Sequence, residues 1–351
     1  MAGRWLYIGL LASLFVPSGT VTAESQVNEV CRANRTSDAC IMARTEQVRS
    51  AYDVPPLETH RIAGDRVRQA FYSFDVLPVV SFVAPPGGPA TVTVRYPRMR
   101  DGSTPEPLRA AVPAWAWREV LALPEPFDAP PSAPQRGSTC LDGATYLAEA
   151  VDPGQPIGRP ATMRQRLGHD CERGPVPAYA TAIAARALSL LPPCTRIDEP
   201  SHAWPIVRLL ACRTLRGDRM AAADVLNRAR GFGMTHNAGD TARLAGLFSA
   251  RSELHWDGAR QAGDPAVVWA ARAAPSLGVT GFSVEAVEGI NGRRVRLTGR
   301  LSRTVDTSRG ASTGAETAQV EQLWRRDRDG LFRVVRATVG PWEPFPATTR
   351  R

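Results

Sequence analysis

The chain has 351 residues, long enough for two domains with separate cores, and a formal net charge of +9. All 43 basic residues are arginines, and the lack of lysine excludes a Walker-type phosphate loop, a Schiff-base enzyme and a Ser-Lys hydrolase. The arginines are mixed with acids and form neither a basic stripe nor an RNA-binding motif, so no nucleic-acid partner is expected.

Residues 1–23 read as a secretory signal peptide. They carry one positive charge at Arg4, an apolar run from Leu6 to Val16, a break at Pro17 to Gly19 and a Val21-Thr22-Ala23 ending. Cleavage near Ala23 starts the mature chain at Glu24 and makes it periplasmic or secreted. The apolar run is shorter than the roughly 20 residues of a spanning helix. No later stretch reaches that length without charge or proline, so no membrane span is expected after processing. Six cysteines follow, and an even count behind a signal peptide implies disulfides. Pairing sequence neighbours gives Cys31 with Cys40, Cys140 with Cys171 and Cys194 with Cys212, each worth about 2–4 kcal/mol. No Cys-x-x-Cys spacing occurs, so neither a thioredoxin-like site nor a zinc ribbon is indicated.

From Glu24 to Asp53, Val27, Val30, Ile41, Met42 and Val48 form a helical stripe that predicts two short helices stapled by Cys31 and Cys40. From Ile62 the text turns to strands. RVRQAFYSFDVLPVVSFVAP, a Pro85-Pro86-Gly87-Gly88 turn and ATVTVRYP, with Val92 and Val94 alternating, predict a β-meander. Trp115 and Trp117 open a short amphipathic segment expected to pack on that sheet. The proline-rich stretch from Pro124 to Gly137 cannot hold a helix and is expected to be an exposed connector. STCLDGATYLAEAVD and RPATMRQRLGHDC then predict a hairpin whose outer ends carry Cys140 and Cys171. Tyr179, Ile183, Leu190 and Leu191 give the apolar face of a helix stopped by Pro192-Pro193. A helical hairpin is predicted next, its first helix capped by Ser201, striped by Ile206, Leu209, Leu210 and Leu215, and ended by Gly217. Asp218 caps the second helix, which closes at Gly231, and Asp240 caps a third.

Between Gly281 and Trp342, Val295, Leu297 and Leu301 alternate with Arg294, Arg296 and Arg300, the period of a half-buried strand. Asp329-Gly330 between two strand-like runs predicts a hairpin, because that pair tolerates positive φ. A helix, the strand ELHWDG, the segment AVVWAARAA and four strands ending in WRRDRDGLFRVVRATVG follow one another from Asp240 to Phe345. This order resembles the NTF2-like family, the cone-shaped α+β fold of ketosteroid isomerases and SnoaL-type enzymes. The expected architecture is therefore α+β. Residues 24–200 form a β-rich disulfide-containing domain, 201–231 a helical hairpin, and 236–346 an NTF2-like cone with an antiparallel sheet.

The five histidines, His60, His169, His202, His236 and His255, form no metal-binding spacing, and neither a metal nor a cofactor is expected. On a strand, His255 and Asp257 share one face and Trp256 takes the other, so an imidazole beside a carboxylate becomes a candidate general base. The resemblance implies, for ketosteroid isomerases, an aspartate base with tyrosine and protonated-carboxyl donors. The last tyrosine here is Tyr179, so that machinery does not transfer. Glu285 and Glu321 are expected to pair with Arg294, Arg296 or Arg300 in a surface ladder. Three functions follow. The first is a non-catalytic ligand-binding or interaction module of the cell envelope, taking a small apolar ligand or an envelope protein. The second is an isomerase- or dehydratase-like enzyme using His255 and Asp257. The third is an assembly protein that binds a partner through an exposed sheet face.

Overall fold

The computed structural model describes residues 29–32, 38–72, 77–97, 104–129, 145–154, 161–169, 174–198, 205–237, 241–273, 280–306 and 313–345. The chain divides into two compact units, residues 1–50 and 51–351. In the first, residues 29–32 are helical and α1 (Asp38–Ala51) follows. Cys31 is bonded to Cys40 with Cα atoms 4.7 Å apart, the staple that the stripe and spacing predict.

The second unit is α+β and holds two sheets. The first has β1 (Arg66–Tyr72), β2 (Val79–Ala84), β3 (Ala90–Arg95), β4 (Leu108–Val112), β5 (Thr145–Asp152) and β6 (Thr162–His169) in the order β4-β3-β2-β1-β5-β6, antiparallel throughout. The predicted meander and hairpin are both there. Gly88 N–H donates to Pro85 O at 3.1 Å, and Gly87 takes φ +67°, a conformation that side chains resist. Every second residue points one way. Ala70, Tyr72, Val80, Phe82, Val92, Val94 and Ala148 are buried in the main core, which α4 (Pro175–Ser189) covers with Tyr179, Ile183 and Ala184. The Tyr72 hydroxyl donates to Ala180 O, so its burial leaves no orphan proton. On the opposite face α2 (Leu57–Ala63) lays Leu57 against Val67 and Val151.

Two expectations change in this half. α3 (Ala114–Leu121) is amphipathic as predicted, but it buries Ala116 and Val120, leaving Trp115 exposed and Trp117 half-buried. The start of the proline-rich connector is held rather than free. Arg68 on β1 and Arg164 on β6 each grip both Glu125 and Asp152, with contacts of 2.6–3.0 Å. Arg166 donates to Pro126 O and Ala129 O, and the Arg164 guanidinium stacks 4.8 Å from the Phe127 ring. Proline removes donors from a segment, not acceptors, so arginines can still capture its carbonyls. α5 (Pro192–Thr195) and α6 (Pro205–Cys212) are joined by the Cys194–Cys212 disulfide, Cα atoms 5.3 Å apart. Cys140, Cys171, Ser201 and Asp240 lie outside the described residues.

The second sheet holds β7 (Leu215–Gly217), β8 (Phe248–Trp256), β9 (Ala259–Arg260), β10 (Thr280–Asn291), β11 (Arg294–Asp306), β12 (Thr313–Arg326) and β13 (Phe332–Val339) in the order β7-β10-β11-β12-β13-β8-β9. β14 (Glu343–Pro344) adds to β12. β10 to β13 are antiparallel, and the Asp329-Gly330 turn closes as predicted, with Gly330 at φ +83° and its N–H on Asp327 O at 3.0 Å. The sheet is nevertheless mixed. β7 runs parallel to β10 and β8 parallel to β13, because each reaches its partner across intervening helices rather than a hairpin.

Leu215 and Gly217 therefore do not extend a helix. Gly217 takes φ +58°, and its Cβ, if it had one, would lie 2.2 Å from Gly289 O. Asp218 N–H donates to that same carbonyl at 2.8 Å while its carboxylate caps Ala221 N–H at 3.2 Å. The helix so started, α7 (Arg219–Asn237), passes through Gly231 instead of ending there, because Phe232 is buried in a ring cluster. α8 (Thr241–Ala245) is one turn, and the chain is a strand by Phe248. α9 (Pro265–Ala273) supplies Trp269. Around Phe232, the centroids of Trp269, Phe248, Phe282 and Trp324 lie at 5.0, 5.6, 5.9 and 5.9 Å, mostly edge to face. Pairs of this kind contribute about 0.5–1.5 kcal/mol each beyond burial.

Candidate functional site

The face of the six-stranded sheet turned away from α4 carries a polar row. The register aligns Arg109, Thr93, Ser81, Gln69, Glu149 and Gln165 directly across β4, β3, β2, β1, β5 and β6. Cross-strand neighbours on one face lie within side-chain reach, and here they bond. Ser81 Oγ donates to Gln69 Oε1 at 2.5 Å, Gln69 Nε2 to Glu149 Oε2 at 2.7 Å, and Gln165 Nε2 to Glu149 Oε1 at 2.7 Å. Gln69, Ser81 and Glu149 are 1%, 2% and 0% exposed, so these bonds satisfy groups that would otherwise be costly to bury.

Over the β4 end of this row the surface opens into a groove of about 460 Å³, the size of a small-molecule site. Gln69, Ser81 and Thr93 form its floor, Arg95 and Arg109 one side, and His60 with Pro55 the rim. His60 Nδ1 lies 2.8 Å from Asp65 Oδ2, a contact that orients the ring. Arg95 is half-buried two residues from Thr93 on the same face, and Arg109 stands directly beside Thr93. Among the described residues neither guanidinium makes an ion pair or hydrogen bond. Burial first, then the charge of Arg109, holds the Arg95 guanidinium below its ordinary value, with Asp53 acting the other way.

The sequence candidates lie elsewhere. Leu254 and Trp256 of β8 are buried, and His255, half-buried, points to the other face between Thr338 and Arg260. Asp257 is exposed in the turn after β8, at φ +52°, its N–H on Val339 O at 2.9 Å. The pair thus faces away from the buried rings Trp256 and Trp269, whose centroids are 5.7 Å apart. The arginine ladder is as expected. Glu285 pairs with Arg300 at 3.2 Å and Glu321 with Arg296 at 3.6 Å, while Arg296 also meets Glu288 at 3.4 Å. Among the described residues no group of His, Cys, Asp and Glu could hold a metal ion, and no helix is long and apolar enough to cross a membrane.

The groove residues were missed by sequence reading. Thr91, Thr93 and Arg95 alternate with Val92 and Val94, which reads as a plain solvated face. Their alignment with Ser81, Gln69 and Glu149 appears only once strand register is known.

No known protein-family pattern matches the chain, and no curated protein does. Solved structures similar to part of it are NTF2-like. An NTF2-like protein of unknown function from Shewanella oneidensis is 14% identical over 34% of this chain and 97% of its own, with a TM-score of 0.26. A ketosteroid isomerase-like protein from Erwinia carotovora is 14% identical over 34% of this chain and 94% of its own, with a TM-score of 0.30. A hexachlorocyclohexane dehydrochlorinase from Novosphingobium barchaimii is 16% identical over 37% of this chain and 94% of its own, with a TM-score of 0.31.

Proposed function

We propose that the protein is an exported, non-catalytic binding module of the cell envelope. Its ligand sits in the groove of the six-stranded sheet. Within this reading residues 1–23 are a cleaved signal peptide, and 236–346 are an NTF2-like unit that serves as scaffold. The observation that carries the reading is the contrast between the two sheets. The eight-stranded sheet has its inner face filled by Phe232, Phe248, Trp269 and Trp324, ring against ring. The six-stranded sheet instead holds a hydrogen-bonded polar floor beneath open space. A floor whose hydroxyl and amide groups are already mutually bonded is rigid and preorganised, which lowers the entropy cost of binding. The enzymatic reading through His255 and Asp257 draws no support from their place on the outer face.

Substitution of Thr93 by Trp tests the reading, because a ring standing on the floor would fill the groove without touching the core face. Screening a panel of small carboxylates, amines, alcohols and sugars by thermal shift should find binders of the wild type that T93W does not bind. Equal binding by both proteins would place the ligand outside the groove and end this reading.

A further inference from the structure

The geometry points to an oxyanion as the part of the ligand that this groove grips, with Arg95 and Arg109 as its two clamps. The inference rests on the groove being the binding site and specifies the ligand's chemistry. Two guanidinium groups occupy one end of the groove, and none of the side chains lining it among the described residues is acidic. Their backbone positions are diagonal neighbours across β3 and β4, a separation of about 7–8 Å at Cα, which two long side chains can bridge onto one carboxylate or phosphate. Many other arginines of the chain are paired. Arg68, Arg164, Arg296, Arg300, Arg303 and Arg333 all meet carboxylates within 4 Å. Arg95 and Arg109 have no such contact among the described residues, and both line the groove.

The two like charges raise the energy of the free state, and burial of Arg95 adds to that, while Asp53 offsets only part of the cost. A bound anion removes both costs, and each guanidinium offers a planar fork of N–H donors matched to two oxygens. The neighbouring wall supplies Pro55, Val83, Ala110 and Ala111. The ligand class is therefore a small organic anion with a short apolar portion, one end on the arginines and the rest along the groove.

Hexanoate, hexylamine and hexanol share a chain and differ in charge, and inorganic phosphate supplies the anion without the chain. Each is titrated by calorimetry into the full chain and into R95Q, R109Q, R95Q/R109Q and T93W. The expected result is binding of hexanoate, and more weakly of phosphate, to the wild type. Each single change should weaken hexanoate at least tenfold, the double variant and T93W should lose it, and hexylamine and hexanol should not bind. Thermal unfolding of R95Q/R109Q should match or exceed the wild type, since a repulsion has been removed; this separates loss of the clamp from loss of the fold. Hexanoate binding to R95Q/R109Q as to the wild type, but not to T93W, would overturn the anion clamp and leave the groove as the site. Failure of every probe to bind the wild type would overturn both.

Discussion

Replacing Arg68 by Met tests how the chain anchors its proline-rich connector. The Arg68 side chain is 6% exposed and meets Glu125 at 2.8 Å and Asp152 at 3.0 Å, with a further bond to Val67 O at 2.9 Å. Breaking one partner of a buried charge pair costs about 3–5 kcal/mol. Here the two acids are 27% and 26% exposed, and Arg164 still holds each at 2.6 Å, so solvent screening brings the expected loss to about 2 kcal/mol. For a chain of this size that is a fall in Tm of roughly 2–4 °C. The loss should also depend on pH. Burial alone would raise the Asp152 carboxyl, but Arg68 and Arg164 together hold it below its ordinary 3.8. A carboxyl depressed in the folded state stabilises above its unfolded value, and that contribution disappears as pH falls through the folded value. The gap between wild type and R68M should thus be full at pH 7 and narrow below about pH 4. Thermal unfolding by calorimetry at pH 7, 5 and 3 measures it, with limited proteolysis near residues 124–129 as a local readout. A Tm within 1 °C of wild type at pH 7, or a gap that does not change with pH, would refute the clamp.

Other outcomes follow from the same geometry. Gly289→Ala puts a Cβ 2.1 Å from Asp218 O and should cost about 3 kcal/mol by displacing the start of α7, visible as a lower urea midpoint. Trp269→Ala empties the centre of the ring cluster, where the residue is 0% exposed, and should cost about 3–5 kcal/mol in the same assay. Replacing both Cys194 and Cys212 by Ala should cost about 3 kcal/mol for a loop of 18 residues. In the unreduced wild type, peptide mapping should recover these two cysteines as one linked pair. By NMR titration the Asp329 carboxyl, hydrogen-bonded first by Arg333 and then by Leu331 N–H, should titrate near 2. In R333Q it should return toward 3.8, its ordinary value. Because it is depressed, its contribution to stability is present above 3.8 and lost as pH falls from there toward 2.

Local signals carried the parts of the fold that local chemistry decides. The Pro85 to Gly88 turn, the Asp329-Gly330 hairpin, the Asp218 cap and the Glu285 and Glu321 ion pairs were all legible, since each depends on residues within one turn or one strand pair. What was not legible depends on register or on distant partners. Leu215 fits a helical stripe as well as a buried strand, and only Gly289, far along the chain, decides between them through its carbonyl. Gly231 reads as a helix end unless Phe232 is known to enter a ring cluster built from four other segments. His255 and Asp257 stand two apart in the sequence and so share a strand face, whereas Arg95, Arg109 and Ser81 become neighbours only through pairings of β2, β3 and β4.

The bonded row under the groove has a direction. Glu149 accepts an N–H from each flanking glutamine, which leaves Gln69 presenting its oxygen toward Ser81 and obliges the Ser81 hydroxyl to spend its only proton there. At Ser81 the floor therefore offers a visitor lone pairs, while the arginine end offers protons. A molecule lying along the groove meets opposite demands at its two ends, so an oxyanion bearing a hydroxyl or amine at its far end fits in one orientation only.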